Sequence, residues 1–235
     1  MPSDVRHAAH ARYEGAEGQR YHHSKFAVPS ETLSWVTRIR AAKFARYVTP
    51  ADRVVEFGVG AGWNLAALDC RERTGIDIGQ HLAPTLLAQG IGFAEDTAAL
   101  ADNSADALIC HHVLEHVLSP ADTLAELRRL LAPGGRLLLF VPYEQESRYR
   151  RYVATEPNHH LFAWNAQTLG NLVADCGFEI ISADVVRYGY ERAAAVAAHR
   201  LGIREFGFRL LRGLAQLLKP AREVRIVATK AVARV

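Results

Sequence analysis

Short apolar segments alternate along most of the chain with longer segments whose apolar positions recur at helical spacing. The short segments are rich in Val, Ile and Leu, which is typical of buried strands. The predicted strands cover residues 53–57, 73–78, 92–95, 105–112, 136–143, 178–188 and 223–232. The predicted helices cover residues 31–48, 62–70, 81–89, 119–135, 165–177 and 203–219. Ser119 and Asn165 stand where helix N-caps are expected.

Strands that alternate with helices indicate an α/β protein with a mostly parallel sheet, covered by helices on both faces. Such sheets bind ligands beyond the carboxyl ends of their strands, near the point where the strand order reverses. We expect residues 1–48 to form an arm or lid followed by a helix. Residues 49–235 would form the main domain, with a helical insertion at about 190–220 before the last strand.

The composition is that of a globular protein. Of the 235 residues, 49% are hydrophobic and 23% charged, which suits a sizeable core. No apolar run approaches the roughly 18 residues of a membrane span, and the first residues lack an apolar signal segment, so we expect a cytoplasmic protein. Cys70, Cys110 and Cys176 are widely spaced and flanked by apolar residues, which favours reduced thiols over disulfides or a metal site.

Positive charge is concentrated towards the C-terminus. Residues 187–235 contain 11 Lys or Arg and 3 Asp or Glu, whereas the whole chain has a net charge of only +3. A basic region of this kind can meet an anionic substrate, a nucleic acid or a membrane surface. Charge asymmetry alone identifies no partner, because a solvated basic helix looks the same.

Three glycines at every second position, Gly58, Gly60 and Gly62, follow the first predicted strand. Their spacing does not fit the dinucleotide-binding fingerprint, which needs glycines at its first, third and sixth positions. No Gly-Lys-Ser/Thr follows them, as it would in a phosphate-binding loop. Glu56 stands just before the glycines, where its carboxylate would repel a pyrophosphate and attract a cation. The loop therefore predicts the close approach of a positively charged ligand.

Two further acids follow the next two predicted strands. Asp77 lies where an acidic side chain can accept hydrogen bonds from both ribose hydroxyls, and Ile78 beside it can pack on an adenine ring. Asp96, after the third strand, is placed to bond the adenine amino group. Together with Glu56, these residues describe an adenosine that carries a cationic group and no phosphate.

This pattern resembles the class I S-adenosylmethionine-dependent methyltransferases over residues 50–185 and again over 223–231. The similarity is carried by EFGVGAG at the first strand, the acids after the second and third, CHHVLEHV at the fourth, and LAPGGRLLLFVP at the fifth. The resemblance implies S-adenosyl-L-methionine as the cofactor. It also implies a three-layer sandwich around a seven-stranded sheet whose last strand is antiparallel.

By the same resemblance, Glu56 and the three glycines would form the methionine end of the donor pocket. The residues singled out after the second and third strands would hold the ribose and the adenine. His111 or His112, at the end of the fourth strand, would lie near the sulfonium and the acceptor.

Histidines are the candidates for a catalytic base, because an imidazole accepts a proton near neutral pH. We expect His112 or His160 to fill this role, while His116 would order the start of a helix. Neighbours such as His111 and His112 point to opposite faces of a strand, so adjacent histidines would not chelate one ion. A site that takes one histidine from each adjacent pair stays open, but spacing alone is poor evidence and no metal site is predicted.

Two segments are predicted to meet the acceptor. The first follows the fifth strand, where His159, Phe162 and Trp164 could line a pocket, with packing inside the loop as the alternative. The second is the N-terminal lid, in which Tyr21 and His22 would close over the site and exclude water, with a disordered arm as the alternative.

Two features narrow the acceptor class. The Asp/Asn-Pro-Pro-Tyr/Phe motif of many nucleic-acid amine methyltransferases is absent, since Cys-His-His-Val stands there, which argues against nucleic acid. Residues 203–219 form a basic amphipathic segment that can pack on its own domain, form a homodimer or lie on a membrane. We expect methyl transfer to an oxygen or nitrogen of a small molecule: a sugar, a lipid-like compound or a secondary metabolite. The alternatives are methylation of RNA or protein, and a non-catalytic scaffold that binds S-adenosylmethionine.

Overall fold

The computed structural model describes residues 12–144, 151–154, 156 and 158–231, which contain seven strands and seven α-helices. The strands are β1 (Arg53–Phe57), β2 (Glu72–Ile76), β3 (Gly92–Ala94), β4 (Ala105–His111), β5 (Leu131–Pro142), β6 (Phe178–Tyr188) and β7 (Ala221–Lys230). The helices are α1 (Gly15–Phe26), α2 (Ser30–Ala45), α3 (Ala83–Ala88), α4 (Pro120–Leu130), α5 (Ala166–Asp175), α6 (Glu191–Arg200) and α7 (Glu205–Leu218). None of these described helices has the length and apolar content needed to cross a membrane.

The strands form one sheet in the order β3-β2-β1-β4-β5-β7-β6, and β7 runs antiparallel to both of its neighbours. Strand β1 pairs in parallel with β2 on one side and with β4 on the other. The strand order reverses at this point, so a crevice opens beyond the carboxyl ends of β1 and β4. The predicted seven-stranded, mostly parallel sheet with an antiparallel last strand is confirmed.

Helices cover both faces of the sheet, because alternate residues of each strand point to opposite faces. On one face, Leu124 and Leu127 of α4 and Leu169 of α5 belong to a fully buried cluster. On the other face, Phe44 of α2 and Leu86 of α3 complete a second cluster. The sheet and its two helical layers form the predicted three-layer sandwich.

The helical insertion, α6 and α7, lies between β6 and β7 and packs against α2. Ala195 of α6, Phe208 of α7 and Val36 of α2 are fully buried in a third cluster, which Trp63 joins from the loop after β1. Apolar packing therefore fixes the insertion to the layer that contains α2.

Residues 62–70 do not form the predicted helix and fold instead as successive turns. Trp63 enters the third cluster, Leu65 enters the second, and the Asn64 amide hydrogen-bonds the Glu56 carboxylate. The partners of these three neighbouring side chains lie in different directions. Side chains on a single helical face could not reach all of them. Tertiary packing therefore overrides the helical pattern here.

The two predicted helix caps have different outcomes. Asn165 is confirmed as a cap, because its side chain accepts the Thr168 N–H at 2.9 Å and the Thr168 hydroxyl completes a capping box. Ser119 makes no side-chain cap hydrogen bond. Helix α4 instead begins with Pro120, whose missing N–H and fixed φ suit the first helical position.

Candidate active site

A cavity of about 730 Å³ lies in the crevice beyond the carboxyl ends of β1, β2 and β4, with residues of α1 in its wall. The cavity is lined by eleven of the residues that the sequence singled out: Tyr21, His22, Glu56, Gly58, Gly60, Asp77, Ile78, Asp96, His111, His112 and His160. One space therefore joins the predicted donor-binding residues to both candidate bases.

The first two glycines of the loop after β1 are required by close packing. Gly58 and Gly60 have positive φ angles, +71° and +52°. A Cβ atom on Gly58 would lie 2.2 Å from Cγ2 of Val113, and one on Gly60 would lie 2.7 Å from Cζ of Phe26. Any larger residue would therefore clash with the wall of the cavity.

Gly62 does not line the cavity, in contrast to the expectation that it forms the methionine end of the donor pocket. Its φ is +75°, and a Cβ atom there would lie 2.8 Å from side-chain carbons of both Leu86 and Ile91. Glycine is required at this position because the loop passes close to the hydrophobic core.

The Asp77 carboxylate is held in place by backbone groups. Its Oδ2 accepts the Gly60 N–H and its Oδ1 accepts the Gly79 N–H, both at 2.9 Å. Each oxygen has a further lone pair, so both can still accept a hydroxyl group. Ile78 and Asp96 also line the cavity, and Asp96 in addition caps the short turn that follows it.

Glu56 is a buried acid with an unsatisfied oxygen. The residue is 1% exposed, its Oε1 accepts the Asn64 amide, and its Oε2 has no partner among the described residues. Burial raises the pKa of Glu56 to about 8, although the Asn64 hydrogen bond acts in the opposite direction. A cation would satisfy Oε2 and favour the ionised carboxyl. Glu56 and Asp77 therefore fit a ligand that combines a positive charge with ribose hydroxyls.

The N-terminal lid is helical in its described part, and it meets the donor side of the cavity. Nδ1 of His22 lies 3.0 Å from Nε2 of His81, and the His22 ring stacks on Phe26 with centroids 5.9 Å apart. Burial lowers the pKa of His22, against the effect of the nearby Asp77 carboxylate. His22, expected to meet the acceptor, thus lies beside the predicted ribose site, while Tyr21 lines the cavity next to it.

The end of β4 belongs to a buried group that we call the Lys43 cluster: Lys43, His111, His112 and Glu223. Nζ of Lys43 lies 2.6 Å from Oε1 of Glu223. Nε2 of His111 lies 2.7 Å from Nζ of Lys43, and Nε2 of His112 lies 3.1 Å from Oε2 of Glu223. The two imidazole rings stack with centroids 4.3 Å apart, so the prediction that they point to opposite faces is wrong. β4 ends at His111, and His112 has a left-handed backbone with φ +57° that breaks the alternation.

Charges in the Lys43 cluster compensate one another. Burial alone would raise the pKa of Glu223, but the hydrogen bond from His112 and the charge of Lys43 hold it below its usual range. Burial lowers the pKa of Lys43 to about 8, against the attraction of Glu223. Burial also lowers the pKa values of both histidines. At neutral pH the cluster is therefore an ion pair with two neutral imidazoles.

His160, the other candidate base, belongs to a second group of titratable residues. Its Nδ1 lies 2.7 Å from Oε1 of Glu144, which leaves Nε2 available to a ligand, and its ring meets His116 edge-on at 4.9 Å. Glu115 is 1% exposed, and burial raises its pKa to about 8. Burial and then the His160 charge lower the pKa of His116 to about 4. His116 lines the cavity and does not begin a helix, since α4 starts later.

Three residues predicted to bind the acceptor lie outside the cavity lining. His159 is exposed, while Phe162 and Trp164 stack on each other with centroids 5.5 Å apart, and Trp164 packs against the core. Two backbone N–H groups of this loop donate hydrogen bonds to the Glu115 carbonyl. Among the loop residues that the sequence singled out, His160 is the one that lines the cavity. An acceptor-binding role for the other three stays a prediction.

Two groups in the described part of the chain have the geometry to hold a metal ion. They are His111, His112 and Glu223, and Glu115, His116 and His160. The candidate ligand atoms of each group lie within 4.8 Å of one another. In the first group the Lys43 ammonium already supplies a positive charge, whereas the second contains no lysine or arginine.

Lys43, Glu223 and Glu144 are site residues that the sequence did not single out. Glu223 left one signal, since it is the one acid in the predicted last strand, residues 223–232. Lys43 lies in a mixed helix and Glu144 directly after β5, and neither position differs in pattern from a solvated surface residue.

The sheet order, with a donor-type pocket at the β1–β4 crevice, defines the class I methyltransferase fold. Residues 25–183 match the family model described as a methyltransferase domain. The match covers more than half of the chain, so the protein belongs to this family, whose cofactor is S-adenosylmethionine. The buried, unpaired oxygen of Glu56 and the fixed Asp77 carboxylate fit that cofactor.

A ubiquinone biosynthesis O-methyltransferase from Aeromonas salmonicida is 29% identical over 119 residues, or 46% of this chain and 48% of that protein. The matched part spans 31% to 48% of the first curated relatives. The cyclase SpnF has a TM-score of 0.58 at 22% identity, over 84% of this chain and 81% of that chain. A Haemonchus contortus phosphoethanolamine N-methyltransferase, in complex with S-adenosylhomocysteine, has a TM-score of 0.56 at 15% identity. The match covers 83% of this chain and 53% of that chain. These solved structures share the fold.

Proposed function

We propose that the protein transfers a methyl group from S-adenosylmethionine to a hydroxyl oxygen of a small, largely apolar molecule. The observation that carries the proposal is that His160, whose Nδ1 is held by Glu144, lines the same cavity as Glu56 and Asp77. A hydroxyl group loses its proton as its oxygen attacks, whereas a neutral amine needs no base at that stage. A positioned imidazole therefore favours oxygen, in agreement with the O-methyltransferase relatives.

Each side chain has a separate part in this proposal. Asp77 would hold the ribose hydroxyls, and Glu56 would pair with the positive charge of the donor. When bound, the donor would supply an electrophilic methyl group, and its sulfur would keep the electron pair of the S–C bond that breaks. His160 would take the hydroxyl proton on Nε2, while Glu144 stabilises the imidazolium that forms.

The lining of the cavity supports a small apolar acceptor over a nucleic acid. Aromatic and aliphatic side chains in the lining include Tyr13, Tyr21, Val113, Val117, Leu118 and Tyr188. The ionisable side chains are mostly acidic: Asp77, Glu95, Asp96 and Asp122 outnumber Lys25 and Arg40. Glu56 and Glu115 also line the cavity, but burial raises their pKa values to about 8. Such a surface would repel a phosphate backbone, whose binding depends on arginines and lysines.

The test is transfer of labelled methyl groups from S-adenosylmethionine to four acceptor classes: phenols, aliphatic alcohols, amines and bulk RNA. Labelled phenols or alcohols would support the proposal. Label only in amines or RNA would overturn the oxygen assignment. Donor binding without transfer to any class would favour a non-catalytic scaffold.

Repeating the assay with a metal chelator distinguishes base catalysis from metal catalysis. Transfer that persists in the chelator supports His160 as a proton acceptor. Transfer that is lost in the chelator and restored by a divalent cation would assign Glu115, His116 and His160 to metal binding instead.

A further inference from the structure

The outer face of α7 exposes a continuous row of large apolar side chains. Phe206, Leu210, Leu214 and Leu217 are 81%, 54%, 46% and 64% exposed. Their spacing of four, four and three residues places them on one side of the helix. These four residues are called the outer stripe below.

The outer stripe is not the face that attaches α7 to the protein. Phe208 is fully buried on another side, with its ring centroid 5.9 Å from that of Trp35. Arg212 pairs with Glu191 of α6 at 2.9 Å. Because these contacts fix the rotation of α7, the outer stripe cannot turn inwards without removing Phe208 from the core.

Exposed basic residues precede and follow the outer stripe in the sequence. Residues 200–219 contain five Arg or Lys and a single acid, Glu205. Arg200 and Arg204 precede the stripe and Lys219 follows it, and all three are exposed. Within the described ranges, none of these three has a carboxylate partner, whereas Arg209 is paired with Glu205.

We propose that α7 docks on a membrane surface that contains anionic lipids. The outer stripe would enter the boundary between headgroups and acyl chains, and Arg204 and Lys219 would meet lipid phosphates. A bilayer supplies an apolar layer beneath a negative surface, which is the combination that this face matches. A symmetric contact with a second copy would oppose identical positive charges. A nucleic acid would match the charges and leave the outer stripe in water.

The test is co-sedimentation of the full chain with vesicles of phosphatidylcholine alone or with about 30% phosphatidylglycerol. We expect binding to the anionic vesicles that weakens with salt, and little binding to the neutral ones. Leu210→Ser combined with Leu214→Ser should lower the partition coefficient at least about tenfold, because two apolar side chains no longer enter the bilayer. Arg204→Glu combined with Lys219→Glu should weaken binding and reduce its salt dependence.

Leu87→Ser is the matched control, because Leu87 of α3 is 61% exposed and lies outside the insertion. It should leave vesicle binding unchanged. Thermal unfolding of each variant checks the fold, and the charge-reversal pair tests the surface independently if the serine pair fails to fold. The proposal is overturned by absence of binding to anionic vesicles at low salt, or by equal loss with Leu87→Ser. A wild-type dimer that the Leu210 and Leu214 changes dissociate would also overturn it.

Discussion

Nδ1 of His160 lies 2.7 Å from Oε1 of Glu144, and the two residues are 16 positions apart within the β5–α5 loop. A carboxylate on one ring nitrogen fixes the orientation of the imidazole and leaves the other nitrogen to accept a proton. His112 is held in a similar way, since its Nε2 is engaged by the buried Glu223. Burial lowers the pKa of His112, however, which weakens it as a base, and we therefore expect His160 to be the base.

His160→Ala is therefore expected to lower the rate of methyl transfer about 10²- to 10⁴-fold, the usual contribution of a general base. Affinity for S-adenosylmethionine should stay unchanged, since the donor residues are intact. Initial rates and calorimetric titration measure the two quantities. His159→Ala is the matched control, because the adjacent His159 is exposed and outside the cavity. An unchanged rate in His160→Ala would remove this residue as the base.

Asp77→Asn should weaken binding of S-adenosylmethionine about 10- to 100-fold, because hydrogen bonds to a charged acceptor are worth about 1.5–3 kcal/mol. The amide keeps the shape of the side chain, but its NH2 group cannot accept an N–H, so one of the hydrogen bonds from Gly60 and Gly79 is also lost. Thermal unfolding of the variant checks that the loop still folds. Asp96→Asn, at an exposed position, should have a smaller effect. Equal affinity in wild type and Asp77→Asn would contradict the assignment of the ribose site.

Binding of the donor at pH 7 should release a proton from Glu56. The pKa of this carboxyl is raised to about 8 by burial, so it is mostly protonated at pH 7. A bound cation favours the ionised form and lowers the pKa, so affinity should rise as the pH approaches 8. Calorimetry in two buffers of different ionisation enthalpy measures the proton count. The Glu56→Gln variant should lose this release, and a wild type that releases no more protons than Glu56→Gln would refute the prediction.

Glu115→Gln should stabilise the donor-free protein at pH 8 and not at pH 5. Burial raises the pKa of Glu115 from 4.5 to about 8, so ionisation favours the unfolded chain. The resulting loss of stability is absent below about pH 4.5, grows up to about pH 8 and is then constant, reaching on the order of 5 kcal/mol. Urea unfolding of both proteins with a chelator present measures the difference. A variant that is less stable at both pH values would show that the carboxylate has an unrecognised partner.

Glu223→Gln should destabilise the protein by about 3–5 kcal/mol, because it leaves the Lys43 ammonium buried without its counter-charge. Lys43→Met combined with Glu223→Gln should recover part of this loss. A double-mutant cycle by chemical denaturation measures the coupling between the two side chains. Additive effects would show that the 2.6 Å contact contributes little to stability.

Most residues predicted for the donor site line the cavity, because they lie at or just beyond the carboxyl ends of strands. Glu56, Asp77 and Asp96 are each fixed by an adjacent strand, and parallel strands bring their carboxyl ends to one edge. The helix expected at 62–70 failed for the opposite reason. Its residues have apolar spacing suited to a helix, yet Asn64 and Trp63 are drawn to partners in other elements.

By itself, the sequence determined the alternation of strands and helices, the sheet they build and the donor end of the cavity. These features depend on periodicity and on residues close together in the chain. The tertiary structure alone decided the pairing of Lys43 with Glu223, 180 positions apart, and of Glu144 with His160. It also decided which side of α7 is buried. Such contacts depend on where whole elements dock and on the direction in which each side chain then points. The local sequence pattern predicts neither.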